Sequence, residues 1–177
     1  MKSYFIDKTI SFSDTQLKSG WAKRHFKIEG NSCVSFLGPF KSYFLYQKYK
    51  ENNIRLPYFF ENMLHFVIEQ KKTSLKEIEY SKRLFVSKLC EHLGEGFKRL
   101  DDLIYYFEDQ VCITKTLCNQ RASLFHIGFF ISIENSKMPI IGLDHFDISP
   151  KDFAFTMMQQ YCDEENAIKD IYKKLDS

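Results

Sequence analysis

The stretch Ser123-Leu124-Phe125-His126-Ile127-Gly128-Phe129-Phe130-Ile131-Ser132-Ile133 alternates with a period of two. Its odd positions from Phe125 to Ile133 form an unbroken apolar face, while Leu124, His126, Gly128, Phe130 and Ser132 form a mixed one. Successive side chains of a strand point to opposite faces, so this pattern predicts a strand with one side in a core. Upstream, Leu103–Phe107 and Val111–Leu117 read as a hairpin about Glu108-Asp109. Downstream, Ser149 offers an N-cap, Pro150 suits a first helical position, and Asp152 stands where a capping box places an acid. A helical stripe follows through Ala154, Met157, Met158, Tyr161, Ile168, Ile171, Tyr172 and Leu175.

Toward the N-terminus, Tyr4–Ser11 reads as a first strand, and Asp14 or Thr15 can cap a short helix over about residues 16–25. Gly30-Asn31 is a turn, Ser32–Leu37 a strand, and Gly38-Pro39 its stop. The aromatic stretch Phe40–Tyr49 fits strand or helix. Pro57 followed by Phe60, Met63, Leu64, Val67 and Ile68 predicts a helix. A second begins at Thr73 or Ser74, buries Ile78, Phe85, Val86, Leu89 and Leu93, and ends at Gly94. The order of strands, helices, a run of strands and a last helix predicts an α+β fold, a mainly antiparallel sheet backed by helices. One domain spanning residues 1–177 is expected.

Composition narrows the function classes. The 177 residues are 44% hydrophobic and 16% aromatic, too apolar for a disordered chain. Lys+Arg 25 against Asp+Glu 23 leaves a net charge of +2, so an extensive nucleic-acid surface is not expected. Five cysteines without a CxxC pair or clustered histidines predict reduced, buried thiols and no metal site. Charges at Lys2, Asp7 and Lys8 fit no apolar signal segment, and no apolar run can span a bilayer. A cytoplasmic protein without membrane partners is expected. No phosphate loop, dinucleotide fingerprint, zinc-protease or nucleophile-elbow motif is present.

Two places hold candidate chemistry. His126 lies on the mixed strand face two residues from Gly128, where a missing side chain leaves room for a ligand or for another backbone. An imidazole there can act as acid, base or anion donor, or it can be a core histidine bonded to a neighbouring strand. His25, His65, His92 and His145 read as surface residues. In Trp21-Ala22-Lys23-Arg24-His25-Phe26 the cations can meet an anion and Trp21 can stack on it, or the block can be a solvated helix face anchored by its aromatics.

At these residues the chain resembles a known family, domain of unknown function 366. The matching segments are Trp21-Ala22-Lys23-Arg24-His25-Phe26-Lys27-Ile28-Glu29-Gly30-Asn31-Ser32, then Phe36-Leu37-Gly38, Asp101-Asp102, His126-Ile127-Gly128, and Gly142-Leu143 with Ile148-Ser149-Pro150-Lys151-Asp152-Phe153. The resemblance implies the fold shared by biotin and lipoate protein ligases and class II aminoacyl-tRNA synthetases. Lys98-Arg99-Leu100-Asp101-Asp102 is similar to the Lys-Trp-Pro-Asn-Asp motif of biotin ligases, and Gly128-Phe129-Phe130-Ile131 to their Gly-Ile-Asn-Val strand. Their Gly-Arg-Gly-Arg loop has no counterpart, their hairpin lysine falls near Asp109 or Gln110, and Phe130 replaces the strand asparagine. The resemblance implies a ligase or acyltransferase for a small anionic or nucleotide-like ligand, or a binding module that has lost that chemistry. His126, Lys98 and Asp102 are then the catalytic candidates. Trp21, Arg24, Ser32, Arg99 and Gly128 are the ligand-binding ones. No cofactor is specified, and a small ligand and a second copy of the chain are the partners expected.

Overall fold

The computed structural model describes residues 1–42, 58–71, 73–119, 121–133 and 138–175. Its elements are β1 (Lys2–Ile6), β2 (Phe12–Ser13), a 3-10 turn (Asp14–Gln16), α1 (Trp21–Phe26), β3 (Ser32–Ser42), β4 (Tyr58–Lys71), α2 (Leu75–Leu93), β5 (Phe97–Leu100), β6 (Leu103–Tyr106), β7 (Asp109–Gln110), β8 (Cys112–Cys118), β9 (Ala122–Phe130), a second 3-10 turn (Leu143–Phe146) and α3 (Pro150–Leu175). The main sheet runs β1-β3-β4-β9-β8, with β2 also on β3; β5, β6 and β7 make a small second sheet. The pairs β3–β4, β4–β9 and β8–β9 are antiparallel, whereas β1 and β2 join β3 in parallel. The α+β expectation holds, with a mixed edge on a mainly antiparallel sheet.

Both sheet faces are covered. One carries Cys33, Leu64, Phe66, Ile68, Phe125, Ile127 and Phe129 against α2 and α3. The other carries Val34, Phe36, Met63, Val67, Leu124 and Phe130 against Phe12, Leu17, Trp21 and Ala22. All nine residues of β9 are buried in consequence, on its mixed face as well as its apolar one.

Residues 60–68 form a strand, not the helix their spacing predicts. β4 is the middle strand of the sheet, so both its faces are apolar and the alternation that marks a strand disappears. Pro57 and most of the Phe40–Tyr49 stretch lie outside the described residues. Gly38-Pro39 does not stop β3. The strand passes through them with a register shift between Gly38 and Phe40, a bulge that absorbs the missing proline N–H. The expected 103–117 hairpin is split: β6 turns at Phe107-Glu108 into two-residue β7, then Val111 leads the chain into the main sheet as β8. The first strand divides into β1 and β2, and the short helix into a 3-10 turn and α1.

The helix signals of α2 and α3 hold, whereas Asp14 and Thr15 lie within the first 3-10 turn rather than capping a helix: Ser13 precedes that turn and Gly20 precedes α1. Ser74 caps α2 with a reciprocal bond to Glu77, Gly94 closes it, and Ser149 Oγ accepts the Asp152 amide at 3.4 Å to start α3. The α3 stripe is only half used: Ala154, Met157, Met158 and Tyr161 are buried, while Ile168, Ile171 and Tyr172 are exposed. Among the described residues no helix is long and apolar enough to cross a membrane.

Gly38 takes a φ of +157°, and a Cβ there would lie 2.1 Å from the Ile10 carbonyl oxygen. The Ile10 amide bonds Leu37 O at 2.9 Å, so the two backbones cannot easily part. Gly38→Ala should cost about 3 kcal/mol or more, as overpacking against backbone does. A urea midpoint within error of the parent would refute this account of the bulge.

Candidate functional site

The face that packs against α1 holds two buried histidines and the buried Glu69. Register sets Val34, Val67, His126 and Lys115 in one row across β3, β4, β9 and β8, and Phe36, His65, Gly128 and Ile113 in the next. His65 and His126 therefore lie diagonally on adjacent strands, with Nδ1 of His65 3.0 Å from Nε2 of His126. Nε2 of His65 is 3.1 Å from Gly38 O, which can only accept, so that nitrogen carries the proton. Nδ1 of His65 is then the lone pair, and Nε2 of His126 donates to it. The backbone bulge thus fixes both tautomers.

Phe12, Phe36 and Phe40 ring the pair, the Phe36 and His65 rings stacking at 4.8 Å and the Phe12 and His126 centroids also lying 4.8 Å apart. Burial holds His65 down at about 4, against the opposing pull of the Gly38 bond. Burial, with the neighbouring charges of His65 and Lys115, pushes His126 well below the usual imidazole range. Both rings are neutral at neutral pH. Among the described residues no group of three or more His, Cys, Asp and Glu side chains gathers that could hold a metal.

At one end of this face, buried Glu69 ties down the covering segment, accepting the Gly20 amide at 2.6 Å and the Ala22 amide at 3.3 Å. At the other edge Lys115 approaches Asp14 O at 3.4 Å, and Ser42 Oγ donates to the buried Asp14 carboxylate at 2.9 Å. Burial lowers the Lys115 ammonium, opposed by the charge of Asp14. Beyond Lys115 on β8, Leu117 floors an open groove of about 540 Å³ walled by Lys18, Ser19, Asn119 and Arg121.

Few of the expected site residues share this face as expected. His126 is on it, but enclosed. Gly128 opens onto no empty space, since a Cβ there would meet Met63 Cε at 3.0 Å, His126 Cε1 at 3.1 Å and Ile113 Cγ1 at 3.2 Å. Trp21 is buried between Phe12 and Phe36 and offers no free stacking surface. Ser32 is buried beside Glu69, and its Oγ finds no partner among the described residues. Arg24 is exposed and turns back on the carbonyls of Lys18 and Ser19.

Lys98 and Arg99 are exposed on β5 of the small sheet, within a strand rather than before one, and Arg99 bonds Asp101 O. Asp102 faces the helical side: Lys82 reaches it at 2.8 Å and Thr114 Oγ1 donates to it at 2.9 Å. Burial would raise the Asp102 carboxyl, but the bond and charge of Lys82 outweigh it and hold it low. Lys82, itself only 5% exposed, also meets Glu79 and Thr116. The three catalytic candidates thus occupy three separate environments.

Glu69, Lys115 and Ser42 escaped the sequence reading, while His65, expected at the surface, and Asp14, expected to cap a helix, are both buried. Period two applied to residues 63–69 would have put Met63, His65, Val67 and Glu69 on one face and exposed the buried polar pair.

A family model, domain of unknown function (DUF366), matches residues 1–175. The chain belongs to the DUF366 family. No curated protein matches it. Among solved structures the DUF366 chain is similar to a protein of unknown function from Pyrococcus horikoshi, at 20% identity, TM-score 0.82, over 97% of this chain and 95% of that one. It is also similar to lipoate-protein ligase A bound with ATP, at 13% identity and TM-score 0.59 over 93% and 85% of the two chains. The biotin protein ligase of Aquifex aeolicus aligns at 12% identity and TM-score 0.57 over 96% and 71%. At such identities the DUF366 chain shares their fold, which does not fix its chemistry.

The histidine pair makes stability depend on pH. Unfolded imidazoles protonate near 6.5, whereas His65 does so only at about 4 in the fold. Between those values the unfolded chain binds more protons, so stability is complete above pH 6.5 and declines below it, by about 1.4 kcal/mol per pH unit for each histidine. Urea midpoints should fall across this window, and the fall should flatten in His126→Gln. An identical slope in that variant would exclude the pair as its source. Separately, Lys82→Ala should cost about 3 kcal/mol by stranding Asp102 and Glu79, and Lys82→Met should cost no less if an ammonium is needed. Chemical denaturation of the two variants checks this.

Proposed function

We propose that this DUF366 chain is a small-ligand-binding module on the biotin/lipoate ligase scaffold, and that its ligand enters at the groove beside Leu117. The separation of His126, Lys98 and Asp102 carries this reading. A ligase would need such groups around one substrate, because it works by placing a carboxylate and neutralising charge on an acyl-adenylate. Here Lys98 projects from the small sheet, Asp102 is held by Lys82, and His126 is sealed under Phe12 and Phe40. The absent glycine-arginine loop and hairpin lysine support the same reading. The site is then the outer edge of the histidine-bearing face, with Lys18, Leu117 and Arg121 lining it.

A ligase or acyltransferase is the second reading, and Lys115 favours it. This half-buried amine lies opposite His126 in the β8–β9 ladder, and burial lowers its ammonium so that more of its lone pair is available. On that reading His126 handles protons, with Lys98 and Asp102 brought to the substrate by a rearrangement of the small sheet.

Two measurements on the full chain separate the readings. Nucleotides and short carboxylates should raise the melting temperature, since a ligand that binds only the native state stabilises it. Incubation with ATP and biotin, lipoate or octanoate should release no pyrophosphate. Sustained pyrophosphate release with any of the three acids would overturn the module reading.

A further inference from the structure

We infer that the groove beside Leu117 binds the phosphate group of a small phosphorylated molecule. This deepens the module reading and rests on it for there being a small ligand at that edge. The wall residues offer donors and no carboxylate. Lys18 and Arg121 are exposed cations, and among the described residues neither forms an ion pair. Asn119 uses its Oδ1 to accept the amides of Arg121 at 3.0 Å and Ala122 at 3.2 Å, so its NH2 is the group left to bond a ligand. Ser19 adds a hydroxyl.

The Lys18-Ser19 wall is itself held by a third cation. The Arg24 guanidinium bonds the Lys18 carbonyl at 3.1 Å and also the Ser19 carbonyl, adding positive charge behind the groove. The acid that meets this wall, Glu69, is 4% exposed and has its two oxygens committed to the Gly20 and Ala22 amides. It neutralises the start of α1 and accepts nothing from the groove.

Charge count selects the anion. A carboxylate balances one cation and leaves the other unmatched, whereas a phosphate monoester carries about −1.5 to −2 at neutral pH and matches both. A guanidinium and an ammonium are the usual pair for such a group, one as a fork and the other as a point charge. Leu117 gives an apolar floor for the rest of the molecule, and the volume of about 540 Å³ exceeds what phosphate alone fills.

Calorimetric titration of the full chain with inorganic phosphate, AMP, adenosine and acetate tests this. Phosphate and AMP should bind, AMP the more tightly, with adenosine and acetate at least about tenfold weaker than AMP. Lys18→Ala and Arg121→Ala should each weaken AMP about tenfold, and added salt should weaken it further. Arg83→Ala, exposed on α2 across the sheet, should change nothing. Both groove side chains are exposed, so the variants should keep the parent circular dichroism spectrum.

Adenosine binding as well as AMP, AMP binding unaltered in both groove variants, or no binding of phosphate and AMP would each overturn the inference. So would a short RNA binding far more tightly than AMP, which would assign the cations to a polymer backbone. Melting shifts from carboxylates alone would leave the module reading standing and remove the phosphate. Pyrophosphate release would remove the module reading, and the Arg121→Ala titration would still decide the phosphate.

Discussion

A strand with protein on both sides has no water to offer its polar side chains, and β4 is such a strand. His65 must therefore find its hydrogen bonds inside the sheet, and it finds one on each ring nitrogen, to Gly38 O and to His126. An unmet buried donor or acceptor costs about 1–3 kcal/mol, so a shift of β4 by one residue would strand the ring as well as invert the strand's apolar faces. Much else follows from that pairing. The bulge at Gly38-Pro39 presents the carbonyl, Gly128 leaves room for Met63 and Ile113 to close around His126, and Phe12, Phe36 and Phe40 keep the pair dry.

The two sides of the sheet do different work. Toward α2 and α3 the packing is mostly apolar, but buried Gln70 bonds Tyr161 and Ser81, and the Lys82 ammonium joins Glu79 of α2 to Asp102 of the β5–β6 turn and Thr116 of β8. That ion pair fastens the small sheet to the main one. Toward α1 the packing mixes rings with titratable side chains, and at its β8 edge Lys18 and Arg121, which form no ion pair among the described residues, border an open groove.

Local signals were legible in the sequence. Ser74 with Glu77, Gly94, and Ser149 with Pro150 act within a turn of the chain, so residue types alone set the ends of α2 and α3. The alternation of β9 is legible for the same reason. β4 is not, because Phe60, Met63, Leu64, Val67 and Ile68 satisfy a helical spacing as well as a doubly buried strand, and only the neighbours decide between them. The site was legible in part. His126 could be placed on a mixed face, but its partner lies 61 residues away on the misread strand. Asp102 looked free because Lys82, which holds it, belongs to another element. The family resemblance named the fold, while Lys98, Asp102 and Trp21 lie apart: exposed on β5, held by Lys82, and buried between Phe12 and Phe36.

The segment that closes the histidine-bearing face comes early in the chain, yet it packs on Leu124 and Phe130, which come more than a hundred residues later. During synthesis Phe12 and Trp21 can meet Phe36 and Phe40 early, but the β9 half of their seat is made only later. Contacts of such long sequence separation form slowly, so the greasy strap is only partly covered until β9 joins the sheet. A nascent chain halted before β9 should therefore show those rings to solvent and be more adhesive than the finished sheet.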